Sequence, residues 1–221
     1  MTLEQKSARL EDPGAQLLDS ISSNWQRYGR MVLIGLGVLT VIVASAFFVL
    51  RARAADEEQA AGKLAEANLF FWQGSYDRSL PMARQVAEQW PNAPSGVDAR
   101  RLAGDDLFWM GNFKEAAAEY RRFLEKQKTG LVADAVRRSL AYSLESDHQF
   151  KEAASTYEGL VGTFDRESSA EFMYASARCY RQMSQPTEAD VRLKRLLDEY
   201  GESSYANRAR IERAELAAAP R

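Results

Sequence analysis

The sequence holds one cysteine, Cys179, and one histidine, His148. A lone thiol makes no intramolecular disulfide, and a single imidazole leaves no Cys/His zinc set. A nucleophilic triad that needs histidine would have His148 as its only base. Gly35-Leu36-Gly37 offers two glycines of a phosphate loop but lies inside an apolar run, and Gly159 and Gly162 stand isolated. Asp105-Asp106 and Glu57-Glu58 are adjacent, so on a helix their carboxylates point different ways and read as solvated charge. Cys179 falls among Ala175, Tyr180 and Met183 and reads as a small core thiol. No catalytic, cofactor or metal site assembles, so the expectation is a protein that is not an enzyme. Net charge is -2, from 29 Lys and Arg against 31 Asp and Glu, which gives no basic excess for nucleic acid. The partners implied are other proteins and a lipid bilayer, with no nucleic acid and no small-molecule substrate.

The elements that would position such residues begin with one unusual segment. Residues 31–50 read MVLIGLGVLTVIVASAFFVL, without a charge. As a helix this run spans about 30 Å, the thickness of a bilayer's hydrocarbon core. Arg27 and Arg30 before it and Arg51 and Arg53 after it are placed to snorkel, and Trp25 and Tyr28 sit at interfacial depth. The run exceeds a signal peptide's apolar region, although Ala52-Arg53-Ala54 offers a small-x-small cleavage site. An uncleaved transmembrane helix is expected; a cleaved, secreted chain is the rival. Asp12-Pro13 predicts a helix start, and Leu17, Leu18, Ile21, Trp25 and Tyr28 then recur at helical spacing. Flanking charges are nearly even, so they do not orient the span.

The remainder repeats itself. Ser79, Ala116, Ala153 and Ala189 follow one another at intervals of 37, 37 and 36, each just after a turn: Gly74-Ser75, Gly111-Asn112, His148-Gln149 and Ser184-Gln185-Pro186. Periods of this size signal stacked helical hairpins. Glycine suits the left-handed turn position, and His148 is expected to stand in for it in the third unit. In the fourth unit Ser184 is expected to cap the helix that Pro186 begins. Ser168 with Glu171 reads as a capping box, and the breaks between units fall at 91–95, 128–130, 165–169 and 201–204.

This pattern resembles the tetratricopeptide repeat. The family places a small residue midway along the first helix, an alanine early in the second and an aromatic four residues on. Gly104, Ala116 and Tyr120 match in the second unit, Ala141, Ala153 and Tyr157 in the third, and Ala177, Ala189 and Leu193 in the fourth. The first unit, with Ala67, Ser79 and Ala83, is degenerate. The expected fold is all-α, one N-terminal transmembrane helix followed by a tetratricopeptide-like α-solenoid of four helical hairpins and a C-terminal capping helix. The expected organisation is a tail (1–30), the span (31–50), a juxtamembrane linker (51–56), four repeats (57–200) and a cap (201–221).

The resemblance implies a protein-binding groove along the first helices of the units. It assigns to that groove Asn68, Phe71, Trp72, Arg101, Phe108, Trp109, Arg138, Tyr142, Tyr174 and Arg178, with Leu64, Asp105 and Arg181 beside them. Two of Phe71, Trp72, Phe108 and Trp109 are expected between units and two in the groove, and the arginines are expected to favour acidic partners. Leu64, Leu102, Ala135 and Ser139 stand where a carboxylate clamp would need polar residues, so docking of chaperone tails is disfavoured. An anchor followed by such repeats is similar to membrane-tethered repeat proteins of bacterial envelopes, among them the ancillary subunit of the Sec translocon. That similarity implies a single-pass inner-membrane protein with a cytoplasmic N-terminus and periplasmic repeats, acting as a scaffold or chaperone-like adaptor. A fixed structural subunit of a larger membrane complex is the rival reading.

Overall fold

The periodicity of small and apolar residues dictates helices throughout, and the computed structural model describes residues 13–218 as nine of them. They are α1 (Pro13–Trp72), α2 (Tyr76–Gln89), α3 (Pro94–Trp109), α4 (Phe113–Lys126), α5 (Leu131–Ser146), α6 (Phe150–Leu160), α7 (Arg166–Gln182), α8 (Pro186–Tyr200) and α9 (Ala206–Ala218). The chain divides into two units, residues 1–54 and 55–221.

In the first unit α1 begins at Pro13, as expected; Asp12 lies outside the described residues, as do the side chains of Leu17, Leu18 and Ile21. The apolar residues from Met31 to Leu50 are exposed throughout. This is the one described helix long and apolar enough to cross a membrane. Trp25, Arg27, Tyr28, Arg30, Arg51 and Arg53 are all exposed, and the Arg27 guanidinium lies 5.4 Å from the Tyr28 ring centre. Residues 51–56, expected as a linker, are helical.

The second unit is an α-solenoid of hairpins, the end of α1 (residues 55–72) with α2, α3 with α4, α5 with α6 and α7 with α8, closed by α9. Its hairpin turns share one geometry. Gly74, Gly111, His148 and Ser184 all take positive φ, at 73°, 79°, 60° and 58°. The residue after each donates its N–H to the carbonyl five positions back: Ser75 to Phe70, Asn112 to Leu107, Gln149 to Leu144 and Gln185 to Tyr180. This is a Schellman motif repeated four times. It corrects the expectation for the fourth turn: Ser184 is the left-handed residue, and Gln185 occupies the cap. A second correction concerns α7. Asp165, not Ser168, caps it by accepting the Ser168 N–H at 2.7 Å, while Glu171 accepts the Tyr142 hydroxyl. Ser169 already lies inside that helix, buried.

The small residues that keep the beat do so because helices cross on them. Ser79, Ala116, Ala153 and Ala189 are fully buried, as are Ala67, Ala141 and Ala177. Tyr120 and Tyr157 fill the space opposite and donate their hydroxyls to Asp105 and Glu145, at 2.7 and 2.8 Å. The second helices are tied along their outer sides by ion pairs in register: Arg84–Glu115 and Arg121–Glu152, each spanning 31 residues, then Arg192–Glu158 with the polarity reversed. Glu119 is deeper, and Arg84, Arg100 and Arg122 converge on it. Glu57 and Glu167, in equivalent places of the first and fourth units, each accept the backbone N–H and hydroxyl of a serine one repeat on, Ser95 and Ser204.

One buried carboxylate has no such partner. Neither oxygen of Asp106 accepts a hydrogen bond from a described residue, and the neighbouring Ser79 hydroxyl is likewise unpartnered. Burial, opposed in part by the adjacent Ser79 hydroxyl and reinforced by the charge of Asp105, pushes the Asp106 carboxyl up to about 7. The folded protein therefore holds a proton that the unfolded chain releases near pH 4. Stability from this group is full below about pH 4 and is lost as the pH rises towards 7. The melting temperature should fall between pH 5 and pH 8, and Asp106→Asn should flatten that fall. An unchanged slope in the variant would refute the assignment.

Candidate functional site

The face of the second unit carried by the first helices holds two recesses that share one wall, Trp109. The larger, about 620 Å³, lies between α1 and α3 and is lined by Asn68, Phe71, Trp72, Tyr76, Arg101 and Asp105 as well as Trp109. The smaller, about 150 Å³, lies between α3 and α5, with Asp105, Phe108, Trp109, Tyr120, Ser139 and Tyr142 around it.

The repeat places the aromatics. Phe71-Trp72 and Phe108-Trp109 end α1 and α3 at equivalent positions, one residue of each pair turned in and the other out. Phe71 and Phe108 are half-buried and pack against the cores beneath them. Trp72 and Trp109 remain 81% and 62% exposed. Tyr76, which the sequence reading did not single out, lies nearly parallel to Trp109 at 6.3 Å between ring centres and touches Phe71 on its other side. The recurrence of an aromatic two residues after each turn glycine, Tyr76 and Phe113, was the available signal. Exposed tryptophans that are wedged by neighbouring rings lose little freedom on binding, which is what interface anchors need.

The charged residues of this face are already engaged. Arg101 bonds both oxygens of Asp98, at 2.6 and 2.9 Å, and Asp105 at 2.7 Å. Arg178 forks onto Glu145 across the α5–α7 boundary at 2.5 and 2.7 Å. Arg181 pairs with Glu212 of α9 at 2.7 Å. Arg138 sits 5.5 Å from the ring centre of Phe164. Tyr142 donates to Glu171 at 2.7 Å, and burial with that bond raises its pKa well above the ordinary phenol range. Asp105, largely buried, has a raised pKa through desolvation, opposed by Arg101 and Tyr120.

Seven of the ten residues assigned to the groove thus divide between two adjoining recesses or lie at their edge: Asn68, Phe71, Trp72, Arg101, Phe108, Trp109 and Tyr142. The other three stand apart. Arg138 covers Phe164, Arg178 is locked to Glu145, and Tyr174 packs on Tyr205 of α9 at 5.7 Å. Leu64 belongs to the core between α1, α2 and α3, and Asn68 donates to its carbonyl at 3.0 Å. Cys179 is buried, and burial pushes its thiol up to about 12, far from a reactive thiolate. His148 serves the third turn, with its ring on Phe150.

Comparison with known proteins agrees with this architecture. The family model described as "Tetratricopeptide repeat" matches residues 171–203. A search of curated proteins finds no match. Among solved structures, a tetratricopeptide repeat protein from Parabacteroides merdae is similar at 14% identity with a TM-score of 0.60, over 72% of this chain and 60% of that one. A Podosopora anserina chain of nearly identical TPR-like repeats is similar at 17% identity, TM-score 0.57, over 72% and 85%. MamA from Desulfovibrio magneticus RS-1 is similar at 16%, TM-score 0.54, over 72% and 89%. At these identities the likeness concerns the fold, a tetratricopeptide-like solenoid.

Proposed function

We propose that this chain is a membrane-anchored, non-enzymatic scaffold that presents its repeat groove to other proteins at the outer face of the inner membrane. The observation that carries the proposal is the duplicated pair of tryptophans, Trp72 and Trp109, exposed at equivalent positions beside recesses of the repeat face. A helical repeat fold of this type is a protein-interaction scaffold, and aromatic anchors dominate interface energetics. Anchoring is supported by the exposed apolar run from Met31 to Leu50, bracketed by Arg27, Arg30, Arg51 and Arg53. The orientation, with residues 1–30 in the cytoplasm and the repeats in the periplasm, is taken from the similarity to envelope repeat proteins, and so is the chaperone-like role.

A protease added to intact spheroplasts should digest the repeats and spare the N-terminal tail. Protected repeats would reverse the orientation. If the mature chain begins after Ala54, the anchor is a cleaved signal and the membrane half of the proposal fails. The alternative is a fixed subunit of a larger membrane complex, held mainly by its transmembrane helix. It predicts co-purification with one assembly at a constant ratio, unaffected by changes at Trp109.

A further inference from the structure

We infer that the two recesses flanking Trp109 receive a basic side chain, lysine or arginine, from the partner protein, its charge facing Asp105 and its stem lying on Trp109. This inference rests on the repeat face being the binding surface and assigns the chemistry of what binds there.

Charge is the first argument. Asp98, Arg101 and Asp105 form one cluster at the recess wall, two carboxylates around a single guanidinium. Arg101 spends its donors on both carboxylates and offers little to an acidic partner, while the cluster keeps a net negative charge. The arginines expected to favour acidic ligands are consumed in the same way further along, Arg178 by Glu145 and Arg181 by Glu212.

The second argument is the distribution of cations over rings. Elsewhere in this unit several aromatic faces carry cations: Lys63 lies over Trp90, Arg78 over Phe70, Arg166 over Tyr200 and Arg192 over Tyr180. Among the described residues, none of the rings lining the recesses, Trp72, Trp109, Phe108 and Tyr142, carries a cation. Tryptophan is the best ring for this interaction, and the attraction grows as the cation is desolvated. Two of the tyrosine hydroxyls are already engaged: Tyr120 donates to Asp105 and Tyr142 to Glu171. The smaller recess is ring surface around the Asp105 carboxylate, with Ser139 beside it; in the larger one Asp105 is accompanied by its partner Arg101 and by Asn68.

The test uses the full chain in nonionic detergent and two blocked hexapeptides, one of alternating leucine and lysine, the other with glutamate replacing lysine. Binding is followed by tryptophan fluorescence and calorimetry. The lysine peptide should bind at least tenfold more tightly than the glutamate peptide, and added salt should narrow the gap. Asp98→Asn, on the rim, and Asp105→Asn should each weaken the lysine peptide severalfold; Asp98→Asn keeps the test valid if Asp105→Asn unfolds. Equal or tighter binding of the glutamate peptide would overturn the inference, as would lysine-peptide binding that survives both aspartate changes. If glutamate-peptide binding is lost in Trp109→Ala, the groove stands and only its charge preference is wrong. If neither peptide binds, the inference fails, and crosslinking from position 109 judges the groove separately.

Discussion

Gly104→Ala is expected to destabilise the repeat unit by about 1–3 kcal/mol, although alanine is the better helix former by about 1 kcal/mol. The two effects have opposite signs, and local geometry decides between them. A Cβ at Gly104 would stand 2.6 Å from the ring of Tyr120, with a second ring atom at 2.7 Å. That ring is buried and pinned by its hydroxyl to Asp105, so it has no room to move. The third unit pairs Ala141 with Tyr157, whose hydroxyl bonds Glu145, about one helical turn beyond the equivalent of Asp105, and the fourth pairs Ala177 with Leu193. Adding Tyr120→Leu to Gly104→Ala should therefore recover part of the loss, a coupling that thermal melts of the single and double variants would measure. A stabilised Gly104→Ala would mean that α3 and α4 do not cross at this point.

Trp109→Ala should weaken partner binding by about 2 kcal/mol or more, roughly thirtyfold, while leaving the fold intact. The side chain is 62% exposed, so its removal opens no large core cavity. Arg101→Ala should do something different. It removes the cation that bridges Asp98 and Asp105 and leaves their repulsion uncompensated, so it should cost stability more than affinity for a neutral partner. Circular dichroism and melting temperature separate the two outcomes before any binding is measured. If Trp109→Ala lowers the melting temperature sharply, the tryptophan is structural and the anchor role is lost.

The sequence carried the architecture well because the solenoid is built from local rules repeated in register. Ser79, Ala116, Ala153 and Ala189 announced the helix crossings, and the glycines at 74 and 111 announced the turns. His148 was legible as a left-handed residue because histidine tolerates that region. Ser184 was not, since serine is far commoner as a cap, and its positive φ with the hydrogen bond from Gln185 to Tyr180 shows its conformation. Asp165 was missed as the α7 cap because Ser168 and Glu171 mimic a capping box, whereas Glu171 is drawn off by Tyr142 of the neighbouring unit. Such contacts between repeats have no local signature. For the same reason the groove's aromatics were visible in the pattern of Phe71-Trp72 and Phe108-Trp109, but the division into inward phenylalanines and outward tryptophans was not. Nor could the sequence show that Arg178 is neutralised, because its partner, Glu145, lies 33 residues away; the pairing of Arg101 with Asp98 and Asp105, at helical spacing, was there to be read.

Photocrosslinking in intact cells tests the central claim most directly. A photoreactive residue replaces Trp109 in one strain and Ser155, exposed on a second helix, in another. The account predicts discrete crosslinked protein bands from position 109 and none, or only diffuse background, from position 155. Crosslinks of equal strength from both positions, or none from 109, would contradict it.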